Sequence, residues 1–142
     1  MKHSKFDIAY LKMATEWAKL SYCDRRQVGA LIVKDRMIIS DGYNGTPSGF
    51  TNCCEDQEGK TLWYVLHAEA NAILKLAGST QSAKGATLYL TLSPCRECSK
   101  LILQAGIQKL VYIDEYSDNS GIEFLRKNPE IEILKIPINE LE

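Results

Sequence analysis

Two short stretches, His67-Ala68-Glu69 and Pro94-Cys95-Arg96-Glu97-Cys98, constrain this chain more than any others. Their side chains make chemical sense together only if the fold brings them to one point. One imidazole and two thiolates are donors that suit Zn²⁺, and three protein ligands leave the fourth tetrahedral position open to water. Glu69 is placed to handle the protons of that water. Cys95 and Cys98 stand at i and i+3 of a helix start, so both sulfurs can face one point. There the unpaired N–H groups and the positive dipole end favour thiolates. His67 and Glu69 are harder to combine, because positions i and i+2 of a helix point roughly 200° apart. They share a site only from a first turn. The other readings of the cysteine pair are a redox dithiol and half of a Cys₄ zinc site. No βαβ pattern precedes the pair, and Glu69 supplies no sulfur.

The rest of the composition narrows the class. With 142 residues, the chain is expected to form one domain, residues 1–142, with a real hydrophobic core. Its 45% apolar and 25% charged content is ordinary for a globular protein, and no apolar run approaches a membrane span. The stretch Met1-Lys2-His3-Ser4-Lys5 leads into a mixed segment rather than an apolar signal core. Five cysteines, an odd number, in a chain without an export signal speak for free thiols and a reducing cytoplasm. A net charge of −1 provides no basic field for gripping nucleic acid.

Along the chain, residues 7–22 read as an amphipathic helix carrying Ile8, Leu11, Ala14, Ala18 and Tyr22 on its apolar side. Residues 27–33 and 37–40 read as a hairpin. The turn-rich run Gly42-Tyr43-Asn44-Gly45-Thr46-Pro47-Ser48-Gly49 is either a plain connection or a cradle for a phosphate or sugar. Residues 51–62 are polar and irregular. A helix over 67–77 would place Ala70, Ile73, Leu74 and Ala77 on one side. After a strand over 86–92, Ser93 as cap and Pro94 in the first turn open a helix that ends near Gly106. Strands over 110–113 and 131–136 flank a helix over 119–127. The order α-β-β-α-β-α-β-α-β predicts a three-layer α/β/α sandwich around a mixed sheet of about five strands.

Val28-Gly29-Ala30, Gly42-Tyr43-Asn44-Gly45-Thr46-Pro47, His67-Ala68-Glu69-Ala70-Asn71-Ala72-Ile73 and Leu92-Ser93-Pro94-Cys95-Arg96-Glu97-Cys98 together resemble the deoxycytidylate deaminases, most of all bacterial and phage members. The likeness continues through Gln104-Ala105-Gly106-Ile107 to Tyr112 and Tyr116 and spans roughly residues 5 to 136. It implies the cytidine deaminase-like fold and the hydrolysis of dCMP to dUMP and ammonia, a supply of dUMP for thymidylate synthesis. It also implies one catalytic zinc on His67, Cys95 and Cys98, with Glu69 as proton shuttle and Asn44 against the sugar. Arg25 or Arg26 are the candidates for the 5′-phosphate, since guanidinium offers paired donors to it. Thr46, Ala68, Ser93 and Tyr116 complete the expected substrate contacts. The family further implies a homo-oligomer, hexamer favoured over dimer or tetramer, and control by dCTP and dTTP.

Some relatives hold a second, structural zinc near positions matching Cys23, Cys53 and Cys54. Here residues 55–66 contain neither His nor Cys, so these three are expected to be partly buried free thiols. Two other readings remain open at this stage. One is a zinc deaminase of tRNA adenosine, a free nucleobase or a nucleoside. The other is a non-catalytic zinc protein of the same fold, for which a retained Glu69 has no use.

Overall fold

The computed structural model describes residues 3–142, so Met1 and Lys2, part of the stretch read for an export signal, lie outside the described residues. Among the described residues, no helix is long and apolar enough to cross a membrane.

The sheet is organised around β1 (Gly29–Lys34), whose run Ala30-Leu31-Ile32-Val33 is buried throughout. Such a run suits a strand covered on both faces. β1 lies between β2 (Met37–Tyr43) and β3 (Thr87–Leu92) and is antiparallel to both. β3, β4 (Lys109–Asp114) and β5 (Glu132–Lys135) are parallel, giving the order β2-β1-β3-β4-β5. Alternate residues feed two separate cores. Ala30, Ile32, Leu88, Leu90, Leu110 and Tyr112 pack with α2 (Ala68–Lys75), α3 (Arg96–Gln104) and α4 (Ser120–Arg126). Leu31, Val33, Tyr89, Val111 and Ile113 pack with α1 (Lys5–Ala18) on the opposite face. The fold is the expected three-layer sandwich with a mixed five-stranded sheet.

Element types match the sequence expectation, but several assignments shift for tertiary reasons. α1 begins at Lys5, because Ser4 and Asp7 form a reciprocal capping box. It stops at Ala18, and Tyr22, expected on its apolar side, is exposed. β2 runs on to Tyr43, so Gly42 belongs to a strand and not to the loop. A Cβ on Gly42 would lie 2.6 Å from the Ala68 carbonyl, and only glycine lets α2 pack this close. Of the residues expected on the apolar side of α2, Ala70 is buried and Ile73 packs against the core, but Leu74 and Ala77 are exposed, and Ala68 and Ala72 carry the rest of the buried face. α3 is capped by Cys95, not Ser93. The Ser93 hydroxyl accepts instead from Tyr116 N–H (2.6 Å).

The expectation of free thiols is corrected at Cys23 and Cys54, which form a disulfide. Ser21 Oγ donates to the Asn44 carbonyl (2.8 Å) and accepts from Cys23 N–H (3.2 Å), which seats the end of the first helical region on the glycine-rich loop. Cys23 there lies 5.1 Å from Cys54, Cα to Cα. Only Cys53 of the three is a free, exposed thiol. As a disulfide the pair offers no thiolate to a metal, although Cys23, Cys54 and Glu55 lie together. With a sequence separation of 31, the bond is expected to stabilise the fold by about 3.7 kcal/mol. Thermal unfolding with and without dithiothreitol checks this, and an unchanged midpoint would refute it.

Under the sheet's other face, Asp7 is buried. Burial alone would raise its carboxyl, but the Ser4 N–H, the Tyr89 hydroxyl (2.7 Å) and Lys109 (3.6 Å) outweigh this and hold it below the usual range. A carboxyl depressed by folding contributes stability above its unfolded pKa and loses it as pH falls through the folded value. Asp7→Asn should therefore cost about 1–3 kcal/mol at neutral pH. In urea titrations the gap to the parent should close below roughly pH 4.

Candidate active site

The metal-type donors come from two helix starts that face each other. His67 is the residue preceding α2, and Glu69 lies in that helix's first turn, the one placement that lets both share a site. Cys95 precedes α3 and Cys98 lies in its first turn. His67 Nδ1 is 3.2 Å from Cys98 Sγ and 3.5 Å from Cys95 Sγ. A tetrahedral zinc with ordinary bond lengths holds its N and S ligands about 3.5 Å apart, so this donor set fits Zn²⁺. The arrangement depends on α4. A Cβ on Gly121 would lie 2.5 Å from the Pro94 carbonyl and 2.6 Å from Ser99 Oγ, where Ser99 Oγ donates to the Cys95 carbonyl (2.8 Å). Gly121→Ala should push the Cys95 turn aside and weaken zinc binding on the order of tenfold, as supporting contacts do. Competition with a chromogenic chelator measures it.

Electrostatics divide the groups. Glu69 is buried, and that burial pushes its carboxyl up to about 7. Hydrogen bonding from Cys98, helped by His67, brings the Cys95 thiol down to about 4. The same Cys95 contact, together with burial, raises Cys98. His67 is raised chiefly by its hydrogen bond to Cys95, against the effect of burial. The two sulfurs are thus pushed in opposite directions, and a cation between the donors is what would favour thiolate at both.

A cavity of about 270 Å³ opens beside these groups. His67, Glu69 and Cys95 lie on its wall with Ala68, Asn44, Ser93 and Tyr116, and exposed Arg25 and Arg26 stand at its edge. Thr46 is not part of it. Its hydroxyl donates to the Thr51 carbonyl (3.1 Å), and it faces a second cavity of about 190 Å³ formed by the glycine-rich loop. Of that loop only Asn44 borders both. Its amide is already engaged, Oδ1 accepting from Val28 N–H (2.9 Å) and Nδ2 donating to the Arg26 carbonyl (2.8 Å). One donor hydrogen and one lone pair remain for a ligand. Val28, Thr61, Val65, Leu92 and Ser117 also line the first cavity; Val28 and Leu92 fall in the stretches that carry the family resemblance, but none of the five was named as a site residue from the sequence. Thr61 and Val65 lie in or beside the stretch read as irregular, which gave no periodic signal.

Two converging helix starts with a His/Cys/Cys donor set and a buried glutamate define a zinc-binding site with one acid–base group. The family model for the cytidine and deoxycytidylate deaminase zinc-binding region matches residues 4–114, and the chain belongs to that family. Among solved structures, it is similar to the dCMP deaminase of cyanophage S-TIM5 in complex with dCMP and dUMP. The two share 44% identity over 96% of this chain and 100% of the other, with a TM-score of 0.91. The deoxycytidylate deaminase of Enterobacteria phage T4 is 35% identical over 92% of this chain and 90% of its own. That of Mycobacterium phage D29 is 38% identical over 81% and 99%.

Proposed function

We propose that this chain is a zinc-dependent dCMP deaminase, converting dCMP and water to dUMP and ammonia. The observation that carries the reading is one cavity lined by buried Glu69, by His67 and Cys95 of the His67/Cys95/Cys98 donor group, and by Arg25 and Arg26. Relatives named deoxycytidylate deaminase over nearly the whole chain support the substrate.

His67, Cys95 and Cys98 would hold the zinc, which when bound supplies acidification of water at its open position. Glu69 takes one proton from the attacking water and passes it to the ring nitrogen beside the target carbon. It then takes the proton of the new hydroxyl on that carbon and delivers it to the departing amine, which leaves as ammonia. Its burial keeps bulk water from competing for that proton. Asn44 offers its remaining donor and acceptor to the sugar. Arg25 or Arg26 pairs with the 5′-phosphate, and Ala68, Ser93 and Tyr116 shape the wall against the base. Among the described residues neither arginine is in an ion pair, which leaves both guanidiniums available.

The proposal extends to a homo-oligomer, hexamer favoured. Trp63 is 92% exposed and stacks edge-on with Tyr64, which also meets exposed Phe50, the kind of aromatic surface that contacts between copies cover. Control by dCTP and dTTP is part of the same reading. The second cavity, which shares Asn44 with the first, is a route by which an effector would reach the substrate. Location in the cytoplasm follows from a nucleotide substrate rather than from the cysteines. An ultraviolet assay of dCMP beside deoxycytidine, dCTP, cytidine and guanine tests the activity. The highest kcat/KM is expected for dCMP, and turnover of another base without dCMP would sink the reading.

A further inference from the structure

Glu55 does not line the catalytic cavity, yet it grips the chain that carries the two arginines. Half-buried, it reaches across to the segment after α1, where Oε2 accepts from Asp24 N–H (3.1 Å) and Arg25 N–H (3.0 Å). The adjoining Cys54 is bonded to Cys23, so two successive points fasten the same segment. Glu55 is itself held by a small hairpin. It bridges Thr61, Leu62 N–H donates to the Cys54 carbonyl (2.7 Å), and Asp56 N–H donates to the Lys60 carbonyl (2.8 Å). Asp56 Oδ1 closes the turn by accepting from Glu58 and Lys60 N–H (2.9 Å each).

On the other side Asn44 binds the Arg26 carbonyl and Val28 N–H. Residues 24–28 belong to no helix or strand, and apart from Asn44 N–H donating to the Val28 carbonyl (3.2 Å) their backbone is held by these side-chain clamps. A mobile backbone would leave each long guanidinium to be ordered again at every binding event, at an entropic cost to affinity.

We propose that Glu55 is a positioning residue for the substrate's 5′-phosphate, acting through the Asp24–Arg25 backbone on Arg25 and Arg26. The inference rests on the dCMP reading. It assigns Glu55 no contact with the reacting atoms, so its signature is weaker phosphate-dependent binding with the chemical step intact.

The test uses the full-length, zinc-loaded enzyme and its Glu55→Ala, Glu55→Gln and Glu55→Asp variants, with kcat and KM for dCMP and a melting midpoint for each. Glu55→Ala should raise KM about tenfold or more, the scale of losing hydrogen bonds to a charged acceptor, with kcat nearly unchanged. Glu55→Gln keeps one oxygen able to accept both N–H groups and should stay near the parent. Glu55→Asp keeps the charge but is one methylene short, and should behave like Glu55→Ala. If Glu55→Ala does not fold, the Gln and Asp pair decides the matter alone. In an Arg25→Ala/Arg26→Ala background, adding Glu55→Ala should raise KM no further, because the groups act as one unit.

A lowered melting midpoint with KM unchanged would make Glu55 a structural staple only and overturn the proposal. Gln as damaging as Ala would overturn it too, because charge and not N–H acceptance would then be at work. If the parent enzyme fails to deaminate dCMP at all, the underlying reading fails and this inference falls with it. If the parent is active and Glu55→Ala matches it in KM, the inference alone fails.

Discussion

Glu69→Gln is expected to lower kcat on dCMP by about 10²–10⁴-fold, the range over which a positioned acid–base group acts, while the protein keeps its zinc. The substitution preserves size and hydrogen-bonding capacity, so a loss cannot be laid to a cavity. Glu69 sits in the first turn of α2, two residues beyond His67, and is buried beside the donor set. From there it can move protons between water, ring nitrogen and leaving amine, and an amide can do none of this. KM should change little, since the carboxyl's work lies in the chemical step. Steady-state kinetics paired with metal analysis check the result. A variant with full zinc and most of its turnover would remove Glu69 from the mechanism.

Cys98→Ala should have the larger effect, taking activity to background and abolishing tight zinc binding together. Cys98 is the buried member of the donor set, and His67 Nδ1 lies closer to it than to Cys95. Two remaining donors cannot close the tetrahedral set that holds Zn²⁺. Ligand binding to the folded state raises stability by mass action, so the parent's melting midpoint should rise with added zinc. The Cys98→Ala midpoint should not respond. That readout separates loss of the metal from loss of the fold. A zinc-dependent midpoint in Cys98→Ala, or retained activity, would show that the metal is held elsewhere.

Much of the site was legible before any fold was known. His67, Glu69, Cys95 and Cys98 follow local rules: a first turn aims i and i+3 at one point, and helix starts favour anionic ligands. The buried strands were legible for a similar reason, since Ala30-Leu31-Ile32-Val33 is apolar at every position and can only lie between two covered faces. Helix ends were less so. Whether α1 stops at Ala18 or Tyr22 depends on where Ser21 finds its partner, and that partner, Asn44, is distant in the chain.

What local chemistry determined, then, is the kind of reaction: a donor set, a proton carrier and a sheet able to bring them together. Only the tertiary structure decided how the surrounding loops serve it. It joined Cys23 to Cys54, turned Thr46 away from the cavity, spent half of Asn44's amide on the backbone, and set Glu55 against the arginine segment. Each of these is a contact between loops far apart in sequence. Their residues carry no period and no cap, so nothing short of the folded chain specifies which partner each side chain meets.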